Sequence, residues 1–154
     1  MARPRPPERF SQLRDAALAV FASKGLRRAR MADVARAMGV STGSLYNYVE
    51  SKEALFHWLV ELGGTQGPVA KPERLPIPTP PAGATERRLR QQLAEGMRFP
   101  RLEAALARRR RVSDAHAELA GIVCELYQRM ETTRGTGSAI ERSAIDQPDL
   151  FELY

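Results

Sequence analysis

Apolar residues recur along the first part of the chain at the three- and four-residue spacing with which a helix buries one face. The first such run follows Pro6 and Pro7 and is predicted to end near Lys24, with Gly25 as its stop signal. Its apolar stripe consists of Phe10, Leu13, Ala17, Val20 and Phe21. The pattern therefore predicts one long amphipathic helix at the start of the chain.

Three shorter helices are predicted next, each with its own start or stop signal. The second ends at Gly39 and has as its apolar residues Met31, Val34, Ala35 and Met38. Ser41 is a suitable N-cap for a third, which carries Leu45 and Tyr48. Ser51 caps a fourth helix, whose apolar face consists of Leu55, Leu59 and Leu62.

The composition changes after the fourth helix. Residues 63–84 contain six prolines and four glycines, which predicts a linker rather than regular structure. Three more helices are expected beyond it, starting near Thr85, Pro100 and Ser113. The last has an apolar face consisting of Ala115, Leu119, Ile122, Val123, Leu126 and Met130. Gly135 and Gly137 are expected to interrupt it. Since no stretch alternates as a strand would, we predict an all-α fold.

The second and third helices have the layout of a helix-turn-helix. Ala35 is small enough for close helix packing, Gly39 suits a left-handed turn, and Leu45 anchors the third helix. The residues that remain for its outer face are small, hydroxylic or amide-bearing: Thr42, Gly43, Ser44, Tyr46, Asn47 and Tyr48. Asn can pair with adenine, and hydroxyl groups can donate to phosphate. This face is therefore predicted to enter the major groove of DNA.

The charge distribution fits a nucleic-acid partner. The chain has a net charge of +6, and residues 1–62 carry ten Lys or Arg against six Asp or Glu. Positive charge is thus concentrated where the helix-turn-helix is predicted, as phosphate neutralisation requires. A basic, Arg-rich proteome is the alternative explanation for the overall excess.

Other functional classes find little support. Cys124 is the only cysteine, which fits a reducing cytoplasm, and neither a signal peptide nor a membrane-spanning run is found. His57 and His116 have no partners at metal-ligand spacing, so neither a metal site nor a cofactor is predicted. No Ser/His/Asp set or carboxylate-pair motif appears, and an enzyme ranks last among the functions considered.

Residues 14–61 resemble the DNA-binding domain of the TetR family of bacterial transcriptional regulators. The features that carry the resemblance are, in order, Phe21 and Gly25, "DVA" at 33–35, Gly39 and Val40, and "SLYNYVESKEAL" at 44–55. The resemblance implies that Thr42, Ser44 and Asn47 face the groove, while Tyr46, Tyr48 and Lys52 hold the DNA backbone. Ser41 and Gly43 belong to the same predicted DNA-binding surface.

Arg30 departs from the family pattern, in which Ser or Thr usually caps the second helix. Loss of that cap typically costs about 1 kcal/mol. Our hypothesis is that Arg30 compensates with a phosphate contact. Arg3 and Arg5, on the N-terminal arm, could also reach DNA, although a solvated arm is the simpler interpretation.

The resemblance also implies the domain organisation: a DNA-binding domain at 1–62, the linker at 63–84, and a helical effector-binding and dimerisation domain at 85–154. Candidate pocket residues, for which core packing is the alternative, are Trp58, Met97, Phe99, Tyr127 and Met130. Because the sequence stops shortly after Pro148, we expect this second domain to be incomplete. Whether a chain ending at Tyr154 still dimerises is open.

Two functions are carried forward. The first is a regulator that binds a double-stranded DNA operator as a homodimer and represses transcription until a small-molecule effector releases it. The second is a shortened relative with weak DNA binding that acts as an interaction module. Neither predicts a membrane partner.

Overall fold

A computed structural model describes residues 8–63, 67–96, 98–108 and 113–145. Those residues form seven helices: α1 (Glu8–Arg28), α2 (Met31–Met38), α3 (Thr42–Tyr46), α4 (Lys52–Leu62), α5 (Ala84–Gly96), α6 (Pro100–Ala107) and α7 (Ala115–Ile145). The only β pairing among them is an isolated parallel bridge between Val49 and Ile77. The prediction of an all-α fold is therefore confirmed. Arg3, Arg5, Met97 and the segment 148–154 lie outside the described residues.

Helix α1 contains the glycine that was predicted to end it. Gly25 leaves helical geometry with φ 72° and ψ 164°, a conformation that glycine adopts without a steric penalty. The chain then resumes a final helical turn as far as Arg28, because Leu26 is buried. The helix therefore does not end at Gly25 as predicted but is kinked there.

The turn between α2 and α3 follows the prediction, while α3 itself is shorter than predicted. Gly39 caps α2 in the left-handed conformation, with φ 69°. The Ser41 side chain accepts a hydrogen bond from the Ser44 N–H at 3.1 Å and so caps α3. Helix α3 ends at Tyr46, which places Tyr48 in the following turn rather than on the helix.

Helices α1 to α4 enclose a well-filled core. Leu13, Leu45 and Leu55 are completely buried, and the rings of Phe21 and Phe56 meet edge to face at 5.5 Å. The same cluster also includes residues beyond the fourth helix: Val69, Ile77, Leu89 and Ala139. One core thus crosses the predicted domain boundaries, and the division into 1–62, 63–84 and 85–154 stays a prediction.

Three details of the second half correct the sequence-based expectations. Helix α5 already begins at Ala84, and the Thr85 hydroxyl pairs with His57 Nδ1 at 3.1 Å. Asp114, not Ser113, caps α7, since its carboxylate accepts from the Ala117 N–H at 3.0 Å. Gly135 and Gly137 lie within α7 and do not interrupt it, because glycine lowers helix stability without breaking the backbone hydrogen-bond pattern.

The two ends of α7 have different environments. Near its C-terminus, α7 packs along α1, and the buried Ser143 hydroxyl accepts from the Leu26 N–H at 3.0 Å. Its N-terminal half carries an exposed α7 face, consisting of Leu119, Val123, Tyr127 and Met130. The sequence predicted that Leu119, Val123 and Met130 share one apolar face, and it offered core packing as the alternative to an effector pocket for Tyr127 and Met130. In the described chain no element covers the exposed α7 face, so the alternative of core packing does not hold for Tyr127 and Met130.

Candidate DNA-binding surface

Helix α3 presents its polar side outward. Leu45 points into the core and is fully buried, which fixes the rotation of this five-residue helix. Thr42, Gly43, Ser44 and Asn47 are exposed, and 47% of the surface of Tyr46 is accessible. A helix this short has little stability of its own, so the buried leucine and the Ser41 cap hold it in place. The result is a fixed polar surface of the kind that fits a DNA groove.

The hydroxyl groups at the start of α3 are organised by each other. Ser41 Oγ and Ser44 Oγ lie 2.8 Å apart, in addition to the cap that Ser41 provides. Between them, Gly43 has open space where a β-carbon would stand. The protein's own packing therefore does not require glycine at position 43. A small residue there leaves room for an outside group to approach the backbone closely.

Tyr48 is positioned differently from the prediction. It is half-buried, and its ring packs edge to face on that of Phe10, with 5.8 Å between centroids. The reason is that α3 ends at Tyr46, so Tyr48 leaves the helical register and turns toward α1. Its predicted place on the outer face of the helix was wrong.

Lys52 lies at the start of α4, as predicted. Its ammonium group donates to the carbonyl of Arg27 at 3.2 Å, which ties α4 to the last turn of α1. An ammonium group has further donors that this bond does not use. Contact between Lys52 and a phosphate stays a prediction.

The start of α2 shows how the missing Ser or Thr cap is replaced. The exposed Arg30 side chain makes no cap hydrogen bond, but the Asp33 carboxylate accepts from the Arg30 N–H at 3.1 Å. Asp33 also pairs with Lys24 at 2.9 Å. The hydrogen bond from Lys24, followed by that from the Arg30 N–H, lowers the pKa of Asp33 below its usual value. Half of a capping box thus remains, and Arg30 is exposed to solvent.

The effector-pocket candidates do not converge on one cavity in the described chain. Trp58 is buried in the core around α4, whereas 71% of the surface of Tyr127 is accessible and Met130 is similarly exposed. The Phe99 ring is half-buried beneath the Arg129 guanidinium, 5.4 Å from its centroid. Met97 lies outside the described residues. An effector pocket stays a prediction.

Contacts between α4 and α5 were not anticipated from the sequence. Besides the bond between His57 and Thr85, Arg88 lies 3.6 Å from the Glu61 carboxylate. Gln92 donates to the carbonyl of Val60. No local pattern signals these bonds, because each joins residues far apart in sequence. They connect the fourth helix directly to the second half.

Metal-binding and membrane-spanning features were also sought in the described ranges. There, no three His, Cys, Asp or Glu side chains are grouped so that they could hold a metal ion. Nor is any of these helices long and apolar enough to cross a membrane.

Comparison with known proteins bears on this helix-turn-helix. The family model for bacterial regulatory proteins of the tetR family matches residues 13–59. Residues 13–59 form a tetR-family domain. This match runs from α1 through most of α4 and contains every predicted DNA-binding residue.

A curated relative matches the same tetR-family domain. The HTH-type transcriptional repressor KstR2 of Rhodococcus jostii (strain RHA1) is 43% identical over 47 residues. These cover 30% of this chain and 23% of the repressor, so the match spans about a quarter of the relative's length. No solved structure matches the chain. The resemblance inferred from the sequence is confirmed for the tetR-family domain.

Proposed function

We propose that this chain is a sequence-specific DNA-binding regulator of transcription. The observation that carries the proposal is the exposed polar face of α3, held by buried Leu45 inside a tetR-family domain. Repression is the favoured outcome, because the relative that shares this domain is named a transcriptional repressor. A regulator of this kind works where the chromosome is, which for a bacterial protein is the cytoplasm.

Each part of the surface has a chemical role in this proposal. Thr42, Ser44 and Asn47 would meet base edges, where an amide can pair with adenine. Tyr46, Lys52 and Arg30 would contact phosphates, which position the protein without reading sequence. Tyr48, with its ring on Phe10, would offer its hydroxyl from the edge of the same surface. Open space at Gly43 would let the helix approach the DNA closely.

The active species is proposed to be a homodimer. Two-fold symmetry places two reading helices about 34 Å apart, the length of one DNA turn. The exposed α7 face supports this, because apolar side chains at helical spacing are stabilised by burial against a second copy. Sedimentation at micromolar concentration tests the assembly, and a clean monomer would contradict it.

Release by a small molecule is the regulatory part of the proposal. An effector bound among α5 to α7 would move α5, and the bonds from His57, Glu61 and Val60 would pass that movement to α4. A shift in α4 changes the spacing of the two reading helices and so lowers operator affinity.

A gel shift with the DNA upstream of the protein's own gene tests the function. Retardation of one fragment in the presence of excess random duplex supports a regulator. The competing function is a shortened relative that binds DNA weakly and acts as an interaction module. No retardation even at low salt would support it and contradict the regulator.

A further inference from the structure

The proline-rich segment after α4 folds back onto the DNA-binding half. We name residues 67–80 the strap. At one end of the strap, the Val69 N–H donates to Ser11 Oγ at 3.0 Å, and Arg14 donates to the carbonyl of Gly67 at 2.7 Å. Val69 itself is buried against the core of the tetR-family domain. The strap is therefore attached to α1.

The other end of the strap is attached directly after the reading helix. The Ile77 N–H donates to the carbonyl of Tyr48 at 2.8 Å, and the Glu50 N–H donates to the carbonyl of Ile77 at 3.0 Å. Val49, between these two residues, is completely buried, and Ile77 is buried beside it. This parallel bridge fixes the backbone that connects α3 to α4.

Two side-chain contacts extend the attachment to the start of α4. The Thr79 N–H donates to the Glu50 carboxylate at 2.8 Å, and the Thr79 hydroxyl lies 2.8 Å from Ser51 Oγ. Ser51 is also the N-cap of α4, since it accepts from the Ala54 N–H. The strap thus contacts the last residues before α4 and the residue that caps it.

We propose that the strap is a positioning element of the DNA-reading surface, with Ile77 and Thr79 as its positioning residues. This inference rests on the proposed DNA-binding function. Leu45 and the Ser41 cap hold the start and middle of the five-residue helix α3, and its C-terminal connection is held by contacts outside the helix. The strap does this, and it fixes the reading helix relative to Lys52 at the start of α4.

The composition of the strap suits this role. It contains five prolines, each of which restricts the backbone and lowers the entropy that is lost on ordering. A stiff segment that is attached at both ends restricts the movement of the residues it contacts. Base recognition needs such a fixed geometry, because a hydrogen bond to a base edge weakens steeply when donor and acceptor are misaligned.

The test uses the full chain and two duplexes. One is a duplex enriched by the wild-type chain from a random-sequence library, and the other is its scrambled version. Ile77→Gly removes the buried side chain and loosens the bridge, and Ala70→Gly is the matched control at an exposed strap position. Ile77→Gly is expected to lower the affinity for the enriched duplex by roughly tenfold, the loss typical of one misplaced base contact. Binding to the scrambled duplex should stay unchanged, as should both affinities of Ala70→Gly.

Salt dependence separates positioning from direct phosphate contact. Ile77→Gly removes no Lys or Arg, so the slope of log affinity against log salt should equal that of wild type. A smaller slope would mean that the strap itself contacts phosphate and would overturn the positioning role. An enriched-to-scrambled ratio that is unchanged in the folded Ile77→Gly variant would overturn it too.

Thr79→Val provides a second variant in case Ile77→Gly does not fold. It removes an exposed hydroxyl and its contact with Ser51, while the Ser51 cap of α4 remains. Its enriched-to-scrambled ratio should fall, by less than that of Ile77→Gly, and an unchanged ratio contradicts the proposal. If wild type enriches no duplex, the proposed function fails instead, so the two failures are distinguishable.

Discussion

Large apolar residues are buried in the tetR-family domain but exposed on the N-terminal half of α7. In the domain, leucines such as Leu45 and Leu55 are fully buried, and the exposed face of α3 is polar. In α7, Leu119 has 60% of its surface accessible, and Tyr127 and Met130 are exposed further along the same face. The apolar residues of the domain are therefore already buried, whereas the N-terminal half of α7 has apolar surface available for another molecule.

This contrast explains where each kind of recognition can occur. A surface that reads DNA must be polar and rigid, and it can be both only when its apolar residues are already buried beneath it. An apolar helix face suits a protein partner, for which burial of apolar area supplies the free energy of association. We therefore propose DNA as the partner of α3 and a second copy of the chain as the partner of α7.

The largest expected difference in stability comes from replacing a leucine with alanine in each of the two regions. Leu55→Ala removes a fully buried side chain and should lower the free energy of unfolding by about 2–5 kcal/mol. Leu119→Ala, at an exposed position, should change it by less than about 0.5 kcal/mol when the chain is monomeric. Denaturant unfolding at low protein concentration measures both. Equal losses in dilute monomer would remove the distinction between the two regions.

The next effect concerns the place where α7 meets α1. Ser143→Ala would leave the buried Leu26 N–H without its present acceptor and should cost about 1–3 kcal/mol. Thermal unfolding checks this, with the exposed Ser113→Ala as the control variant. A loss no larger than that of the control would mean that this contact does not stabilise the packing of α7 on α1.

A smaller effect is expected at the edge of the DNA-binding surface. Arg30→Ala should reduce the slope of log affinity against log salt by about one, because one phosphate contact is lost. Gln128→Ala, on the exposed part of α7, should leave the slope unchanged. Fluorescence titrations at several salt concentrations measure it. A wild-type slope in Arg30→Ala would contradict a phosphate contact by Arg30.

The smallest effect is the pH dependence contributed by Asp33. Its pKa is lowered in the folded state, chiefly by the hydrogen bond from Lys24, so the ionised carboxylate stabilises the fold above the ordinary carboxyl pKa. That contribution is lost as the pH falls through the lowered pKa. The stability difference between wild type and Asp33→Asn should therefore shrink between neutral and strongly acidic pH. A difference that stays constant across this range would show that the ionised form adds nothing.

Local signals predicted the first half of the molecule well. Gly39 and the caps at Ser41 and Ser51 act within a few residues, so the sequence alone located α2, α3 and α4. Tyr48 was misplaced because α3 ends two residues before it, and its ring then packs on Phe10, a residue far away in the chain.

The structure of the second half was harder to predict, because it depends on long-range contacts that local sequence patterns do not show. The apolar periodicity of α7 was real, but periodicity shows only that residues share a face and not what covers it. The strap looked like a linker because proline and glycine exclude regular structure, while its attachment at Ile77 depends on residues 48–50. Local composition therefore predicted that the strap lacks regular structure, but it could not predict which residues the strap contacts.

The central claim is that the exposed polar face of α3 reads DNA sequence. The most direct measurement is the affinity of the full chain for an enriched duplex and its scrambled version, with and without the double substitution Thr42→Ala and Asn47→Ala. Our account predicts that wild type binds the enriched duplex more tightly than the scrambled one. In the folded double variant, the ratio of the two affinities should fall by roughly tenfold or more. A folded double variant with the full preference of wild type would contradict it.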